Sequence, residues 1–162
     1  MADRVIGVGE LDVVHAPGDV IKTFALGSCV AAVLMDPKVR LIGMVHVALP
    51  DSATNPERAK SSPGYFADTG IPALLDRMVD AGMRRGETDL IVKLIGGATV
   101  LDIGKRFDVG RKNQLAVRKV LWSFGLAPRS EDVGGTISRT VEVDVDQGRT
   151  RISSARSEPW EI

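Results

Sequence analysis

Residues 23–37 read TFALGSCVAAVLMDP, and residues 41–50 read LIGMVHVALP. The apolar runs in both stretches have the length of a strand and are rich in Val, Ile, Leu and Ala. The turn signal Asp36-Pro37 separates the two runs, so they predict the arms of a β-hairpin. This hairpin holds the single cysteine of the chain, Cys29, and one of its two histidines, His46.

The loop of this hairpin sets which residues face each other across the two strands. Pro at the first central position favours a type I turn, and a loop of two or four residues centred on Pro37 and Lys38 pairs Cys29 with His46. Directly opposed side chains have Cβ atoms about 4.5–5.5 Å apart, a separation at which a thiol reaches an imidazole. A three-residue loop or a bulge shifts the register by one and places the pair diagonally or on opposite faces. The predicted pairs are Met35 with Arg40, Val33 with Ile42, Ala31 with Met44, and Cys29 with His46.

Both faces of the predicted hairpin are apolar. Side chains along a strand alternate between its two faces. One face carries Cys29, Ala31, Val33, Met35, Ile42, Met44 and His46, and the other carries Val30, Ala32, Leu34, Leu41, Gly43, Val45 and Val47. A hairpin that is apolar on both faces has to be covered on both, which predicts a layered structure.

Cys29 and His46 allow two interpretations. A cysteine beside a histidine is a candidate thiol nucleophile with its general base, and the Gly27-Ser28 bend before the cysteine fits a reactive site. Free cysteines are also among the most buried residues, and a histidine on an apolar strand is commonly a hydrogen-bonded core residue. Ser28 is an alternative nucleophile, although an unactivated hydroxyl is much weaker than a thiolate near neutral pH.

The composition is that of an ordinary globular domain. The 162 residues include 44% apolar and 26% charged residues, and the 21 basic and 21 acidic residues cancel. No basic block predicts nucleic-acid binding, and one cysteine with two histidines does not supply a structural zinc site. No apolar run approaches the roughly 20 residues of a membrane span, and the first residues do not read as a secretory signal. We therefore expect a cytoplasmic monomer without membrane insertion, metal or cofactor, in which the thiol stays reduced.

The rest of the chain predicts further strands and two main helices. Strands are expected at residues 5–9, 11–15, 20–24, 90–95, 127–133, 136–145 and 150–153, and a long polar loop at residues 51–64. Thr69 is the predicted N-cap of a first helix that ends at Gly82 or Gly86. A second helix is predicted from about Gly110 to Phe124, with Leu115, Val117, Val120, Leu121 and Phe124 as its apolar stripe.

These elements predict an α+β fold with a layered, mixed or antiparallel β-sandwich-like core and two main helices packed outside. We expect a single domain over residues 1–153. The polar C-terminal tail, residues 154–162, is expected to fray.

Short motifs that run in order from about Val20 to Ser153 carry a family resemblance. They are Thr23-Phe24-Ala25-Leu26-Gly27-Ser28-Cys29-Val30, Asp36-Pro37, Met44-Val45-His46 with Leu49-Pro50, Tyr65-Phe66-Ala67-Asp68, Leu94-Ile95-Gly96-Gly97-Ala98, Gly110-Arg111-Lys112-Asn113 and Asp132-Val133-Gly134-Gly135. With them the chain resembles the chemoreceptor glutamine deamidases of bacterial and archaeal chemotaxis, the CheD family. The pair Leu-Gly-Ser-Cys-Val and His-x-x-Leu-Pro is the specific part of this resemblance.

The resemblance implies that Cys29 is the nucleophile, His46 its general base and Thr23 the third member of a triad. It implies hydrolysis of a glutamine side-chain amide in the cytoplasmic helices of a chemoreceptor, through a thioester and with release of ammonia. Backbone N–H groups around Gly27, Ser28 and Cys29 are candidates to stabilise the oxyanion of this reaction. An imidazolium beside the cysteine would lower the pKa of the thiol.

The resemblance also implies an alternative role. Members of the family bind a CheC-type chemotaxis phosphatase and raise its activity, so a regulatory binding partner is the alternative to a catalyst. The same thioester chemistry would also cleave glutamyl methyl esters. A cysteine hydrolase that acts on another amide is the third possibility.

Overall fold

Two sheets and three α-helices make up the described part of the chain, residues 2–99 and 108–162 of a computed structural model. The strands are β1 (Asp3–Ile6), β2 (Leu11–Val14), β3 (Val20–Leu26), β4 (Val30–Asp36), β5 (Leu41–Val47), β6 (Ile91–Gly96), β7 (Ser130–Val133), β8 (Arg139–Asp144), β9 (Thr150–Ser154) and β10 (Ser157–Glu161). The helices are α1 (Pro56–Ser61), α2 (Ala67–Asp80) and α3 (Val109–Ser123). Within these residues, no helix is long and apolar enough to cross a membrane.

The two sheets are stacked and mixed. The outer sheet has the strand order β1-β3-β8-β9-β10, and the middle sheet has the order β2-β5-β4-β6-β7. The pairs β1–β3 and β6–β7 are parallel, and the other neighbouring strands are antiparallel. Helices α2 and α3 pack on the face of the middle sheet that is turned away from the outer sheet. The predicted α+β fold with a layered, mixed core is confirmed.

The β4–β5 hairpin is buried on both faces. Every residue of β4 and β5 is buried. Val30, Ala32 and Leu34 pack towards the helices, whereas Ala31, Val33 and Met35 pack between the sheets. The prediction of two apolar faces, with these residues on them, is confirmed.

The predicted register of the hairpin is wrong by two residues. Ala31 pairs with His46, and Asp36 pairs with Leu41. The loop therefore consists of residues 37–40, and its centre lies one residue later than the sequence suggested. An Asp36 carboxylate oxygen accepts a hydrogen bond from the Lys38 N–H at 3.0 Å and opens the turn at Asp36. Arg40 closes it in the left-handed region, with φ 53°.

The helices differ from their predicted ends and faces. α2 begins at Ala67 after Phe66, and Thr69 is not its N-cap, because the Thr69 hydroxyl donates to the backbone oxygen of Pro63 instead. Leu115 in α3 and Phe124, which caps its C-terminal end, are exposed rather than part of the apolar stripe. The residues of α3 that are buried are Gly110, Asn113, Val117 and Leu121.

Two segments expected to be irregular have regular structure. Residues 51–64 contain α1, which has a 3₁₀ turn on each side, at Ser52–Thr54 and Pro63–Tyr65. The Asn55 side chain caps the N-terminus of α1. The expectation that the C-terminal tail frays is wrong. β10 pairs with β9, and the Trp160 indole N–H donates to a carboxylate oxygen of Asp132. The division into a domain at residues 1–153 and a tail stays a prediction.

Candidate active site

Thr23, Cys29 and His46 come together at one end of the sandwich. Thr23 belongs to β3 of the outer sheet, and His46 belongs to β5 of the middle sheet. Cys29 directly precedes β4, in the short loop that carries the chain from the outer to the middle sheet. The side chain of Cys29 packs against the apolar cluster between the sheets. Thr23 contacts His46 across the same space.

A hydrogen-bond chain fixes the ring of His46. The Thr23 hydroxyl oxygen lies 2.7 Å from His46 Nδ1 and 2.7 Å from the backbone oxygen of Ile6. The hydroxyl has one proton and donates it to the Ile6 oxygen, so it accepts a hydrogen bond from Nδ1–H. Nε2 is therefore the unprotonated ring nitrogen, whose lone pair is available to take a proton.

Burial keeps this imidazole neutral. His46 is 1% exposed and Thr23 is 0% exposed. Desolvation lowers the pKa of His46 to about 4, since the neutral Thr23 hydroxyl offers no negative charge in return for the lost hydration. Within residues 2–99 and 108–162, Nε2 has no hydrogen-bond partner. Buried polar atoms in native proteins nearly always have a partner, so this nitrogen stands out as a candidate functional atom.

Cys29 is half-buried, and its thiol is uncharged at neutral pH. Burial raises the pKa of the Cys29 thiol, and the backbone N–H of the same residue acts in the opposite direction. The expectation that an imidazolium lowers this pKa is wrong for the protein without substrate. The burial that raises the pKa of the thiol also lowers the pKa of His46. The two groups therefore form a neutral thiol–imidazole pair rather than an ion pair.

The thiol and the imidazole lie on a diagonal of the sheet instead of directly opposite each other. Ala31 is the direct partner of His46, and Cys29 lies two residues before Ala31 on the same face. Diagonal neighbours are about 7–8 Å apart at the backbone, still within reach of long side chains. No hydrogen bond joins the Cys29 thiol to His46 in the part of the chain that the structure describes. Direct proton transfer between them would require the two side chains to approach each other.

Backbone hydrogen bonds hold the loop that carries the cysteine. The Gly27 oxygen accepts from the Ala98 N–H at 2.8 Å, and the Cys29 oxygen accepts from the Gly97 N–H at 2.8 Å. Carbonyl and N–H point in opposite directions from a trans peptide. The Ser28 N–H, which shares a peptide with the Gly27 oxygen, therefore points away from Ala98.

Asn113, in the second turn of α3, contacts the same loop. Its buried side chain donates from Nδ2 to the backbone oxygen of Ser28 at 2.9 Å and to that of Ala48 at 3.0 Å. Ala48 lies two residues after His46 in the chain. Our sequence analysis assigned no role to Asn113. A signal was available, because Asn113 lies one helical turn before the buried Val117 and is a polar residue on a buried face.

Two backbone donors beside the thiol remain for a ligand. Among the described residues, the N–H groups of Ser28 and Cys29 donate to no other residue. The carbonyls of their peptides are tied to Ala98 and Asn113, so both N–H groups point away from those partners. Adjacent backbone N–H groups next to a nucleophile are the usual components of an oxyanion hole.

Gly96 lets the middle sheet approach the loop that carries Cys29 closely. Its φ is 109°, which L-residues with side chains rarely adopt, and a Cβ atom there would overlap the backbone oxygen of Cys29. The Gly96-Gly97 pair therefore shapes the loop through backbone contacts.

A cleft of about 530 Å³ lies at the opposite end of the hairpin, around the turn. Met35, Pro37, Arg40, Lys93 and Arg129 are among the residues that line it, and the lining contains neither cysteine nor histidine. In the described part of the chain, no three His, Cys, Asp or Glu side chains are grouped as a metal site would need. The groups suited to nucleophilic chemistry are those at the Cys29 end.

Comparison with known proteins gives one family. A family model described as "CheD chemotactic sensory transduction" matches residues 48–154. This span begins after Thr23, Cys29 and His46, but full-length relatives align over them. The chain is 44% identical over 162 residues, all of both chains, to a protein of Syntrophotalea carbinolica named "Probable chemoreceptor glutamine deamidase CheD".

Two further relatives carry similar names. A protein of Anaeromyxobacter dehalogenans, "Probable chemoreceptor glutamine deamidase CheD 2", is 46% identical over 149 residues, 92% of each chain. A protein of Thermotoga maritima, "Chemoreceptor glutamine deamidase CheD", is 37% identical over 146 residues, which is 90% of this chain and 88% of the relative. The similarity therefore extends over nearly the whole chain.

Proposed function

The chain belongs to the CheD family, and on this basis we propose that it hydrolyses the side-chain amide of specific chemoreceptor glutamines to glutamate and ammonia. Cys29 is the nucleophile and His46 the general base. Thr23 is a positioning residue that acts through His46. The names of its relatives support the substrate, and the geometry of the site supports these roles.

The observation that carries this proposal is the 2.7 Å contact between the Thr23 hydroxyl and His46 Nδ1. Because that hydroxyl donates to the Ile6 oxygen, the ring keeps its proton on Nδ1 and presents Nε2 as a base. A histidine that served only the core would have its second nitrogen paired as well. Nε2, which has no partner among the described residues, is the nitrogen that can accept the proton of a neighbouring thiol.

The first step couples proton transfer to attack. Because thiol and imidazole are both neutral, the Cys29 proton moves to His46 Nε2 as the sulfur forms its bond to the amide carbon. The electron pair of the carbonyl double bond moves onto oxygen and gives a tetrahedral oxyanion. The imidazolium so formed donates from Nδ1 to the Thr23 hydroxyl, whose oxygen stabilises the new positive charge modestly.

The N–H groups of Ser28 and Cys29 bind the oxyanion. Gly27 and Ser28 shape this site, because the Gly27 oxygen is tied to Ala98 and turns the Ser28 N–H outward. Loss of one donor of this kind typically costs about 2.7–4 kcal/mol of transition-state stabilisation. The oxyanion hole is therefore expected to contribute more to the rate than the orientation of the base by Thr23.

The second half of the reaction releases the products. The intermediate collapses, the carbon–nitrogen bond breaks, and His46 returns its proton to the departing ammonia. A thioester to Cys29 remains. His46 then takes a proton from water, which attacks the thioester and yields glutamate and the free thiol. The same steps apply to a glutamyl methyl ester, with methanol as the leaving group.

The remaining expectations concern the cellular location, the binding partners and the oligomeric state of the protein. A substrate in the cytoplasmic helices of a receptor requires action in the cytoplasm. Binding of a CheC-type phosphatase and a monomeric state stay predictions, and the proposed chemistry needs neither. A Cys29→Ala variant is expected to retain phosphatase binding, because it loses one half-buried sulfur and no structural contact of the loop backbone.

Deamidation can be read directly by intact-peptide mass spectrometry. The purified protein is incubated with the cytoplasmic fragment of a receptor from the same organism, and each target glutamine gains the small mass that separates an acid from an amide. We expect this gain with the wild-type protein and its loss in Cys29→Ala and His46→Ala.

Ser28→Ala is the matched control for the nucleophile. It removes the neighbouring hydroxyl and keeps the backbone N–H, so deamidation should persist. Retained activity in Cys29→Ala with loss in Ser28→Ala would overturn the assignment of the nucleophile. Absence of any mass gain with the wild-type protein would overturn the proposed function.

A further inference from the structure

We infer that Asn113 is a positioning residue of the reaction, which holds the nucleophile loop and the end of the base-bearing strand in one fixed arrangement. The inference rests on the proposed roles of Cys29 and His46. It is carried by the two hydrogen bonds that the Asn113 side chain makes, one to each of these chain segments.

Both protons of one nitrogen are used in this contact. Nδ2 donates to the Ser28 oxygen at 2.9 Å and to the Ala48 oxygen at 3.0 Å. The reversed amide would place Oδ1 against two carbonyl oxygens, which only accept hydrogen bonds, so the chemistry of the partners fixes the orientation of the amide. Asn113 thus bridges two segments that are not otherwise neighbours in sequence.

The bridge acts on the groups that perform the chemistry. The Ser28 oxygen belongs to the same planar peptide as the Cys29 N–H, so a bond to one sets the direction of the other. Asn113 therefore orients one of the two oxyanion donors and the backbone from which the thiol projects. Its second bond fixes the backbone two residues after His46. Asn113 thus adds a cross-link just beyond the last pair of the β4–β5 ladder, Val30 with Val47, beside both the nucleophile and the base.

One half of the Asn113 amide is paired and the other half is not. Asn113 is 0% exposed, and its Oδ1 has no partner among the described residues. A buried polar atom without a partner destabilises the folded state. The two hydrogen bonds from Nδ2 offset this cost, and they hold the carbonyls of Ser28 and Ala48 beside Cys29 and His46.

The test replaces Asn113 with leucine, which has nearly the same volume and no donor. We expect kcat for receptor deamidation to fall roughly 100-fold, as for other misplacements of about 1 Å, with KM within about threefold of wild type. The control is Val117→Ala, one turn further along α3 and also 0% exposed. It destabilises the same helix without touching the loop, and its kcat should match wild type at temperatures well below its unfolding.

A second readout does not depend on receptor substrate. The chain has one cysteine, so iodoacetamide labels Cys29 alone. Burial raises the pKa of this thiol. When the loop relaxes in Asn113→Leu, the thiol gains water and its pKa returns towards the ordinary value. Alkylation at pH 8 should then become severalfold faster and its pH profile should move to lower pH, while deamidation becomes slower.

The outcomes separate this inference from the proposed function. Slower deamidation with faster alkylation in folded Asn113→Leu, and neither change in Val117→Ala, supports the positioning role. The role is overturned if Asn113→Leu has the kcat and the alkylation rate of the wild-type protein. It is also overturned if kcat falls equally in Asn113→Leu and Val117→Ala. If the wild-type protein deamidates no receptor, the proposed function fails and the alkylation comparison still decides the role of Asn113. Should Asn113→Leu not fold by circular dichroism, Asn113→Ser, which keeps one donor, is measured in its place and judged by the same criteria.

Discussion

The two ends of the β4–β5 hairpin bury different kinds of groups. At the turn end, an open cleft of about 530 Å³ is lined by apolar residues and by the charged side chains of Asp36, Arg40, Lys93 and Arg129. Two of these already have partners, since Arg40 donates to the Asp146 oxygen and Lys93 to the Ile162 oxygen. At the Cys29 end, the polar side chains of Thr23 and His46 are fully buried, uncharged and linked in a directed chain of hydrogen bonds.

This difference shows that cavity size is a poor guide to chemistry in this fold. The cleft offers space and charge but no nucleophile and no base. The other end offers an acceptor nitrogen without a partner, a thiol and two outward N–H groups within one loop and two strands. Catalysis needs groups whose protonation and direction are fixed before substrate binds, and in the proposed mechanism the buried end supplies them.

The largest contrast between the two ends should come from deleting the nucleophile. We expect Cys29→Ala to lower kcat/KM for deamidation by roughly 10⁴-fold or more, as loss of a covalent nucleophile does in other hydrolases. Its free energy of unfolding should change by about 1 kcal/mol or less, because the residue is only half-buried. Kinetics and urea unfolding of the same preparation check both values. A variant that retains more than a tenth of the activity would contradict the role of Cys29.

The pH dependence of stability is the next largest effect. The pKa of His46 is lowered to about 4, from 6.5 in an unperturbed histidine. Between these values the unfolded chain binds a proton that the folded chain does not, so the free energy of unfolding falls as the pH drops from 6.5 to 4. The contribution of this group amounts to at most about 3 kcal/mol. Urea unfolding at several pH values in this range should show that the free energy of unfolding falls less in His46→Gln than in the wild-type protein.

An NMR titration of the His46 ring supplies the independent check. The ring should remain neutral to about pH 5, and the acid limb of kcat/KM should follow the same ionisation. A His46 ring that titrates near 6.5 would show that the site is open to water and that the neutral pair does not exist.

A smaller effect is expected from the orienting hydroxyl. Thr23→Val keeps the shape of the side chain and leaves Nδ1–H and the Ile6 oxygen without their partner. A buried group left unpaired costs about 1–3 kcal/mol, so kcat should fall roughly 10- to 100-fold. Thr150→Val is the matched control, because Thr150 is 0% exposed and its hydroxyl has no partner in the described residues.

Thr150→Val should leave kcat unchanged and keep or raise stability, since it removes an unpaired polar atom. Thr23→Ser, which restores the hydroxyl, should recover most of the activity lost in Thr23→Val. Equal kcat values in Thr23→Val and wild type would mean that the hydroxyl does not orient His46.

The smallest effect is expected at the turn end. Lys93→Met removes a charge from the lining of the cleft at the far end of the hairpin from Cys29. Because distant sites without shared partners act independently, kcat/KM should stay within about twofold of wild type. A loss comparable to that of Thr23→Val would show that the cleft takes part in the reaction.

The sequence was a good guide to faces and a poor guide to register. The hairpin faces were predicted correctly although the predicted pairs were wrong, because a shift of two residues leaves the inward and outward sets unchanged. The error came from the loop. Pro37 marks a turn, but whether it stands at the first or second loop position depended on the Asp36 carboxylate and on Arg40 in the left-handed region. Neither can be read from residue preferences alone.

The site was predictable where family motifs named its residues and unpredictable where tertiary contacts made it. Cys29, His46 and Thr23 were nominated from the sequence, and the contact of Thr23 with His46 is present. Asn113 acquires its partners only when α3 packs on the loop, and the neutral state of the thiol and imidazole follows from burial by two sheets. The helical period marks Asn113 as a polar residue on a buried face, but no local pattern gives its partners or this neutral state, which depend on long-range packing.

Trapping of the acyl group with hydroxylamine would decide whether Cys29 forms a covalent intermediate. Hydroxylamine competes with water for a thioester, so mass spectrometry of a receptor-helix peptide should find a glutamyl hydroxamate at the target glutamine with wild-type protein. With Cys29→Ala it should find neither hydroxamate nor glutamate. Formation of glutamate alone by the wild-type protein at high hydroxylamine, or of either product by Cys29→Ala, would contradict nucleophilic catalysis by the thiol.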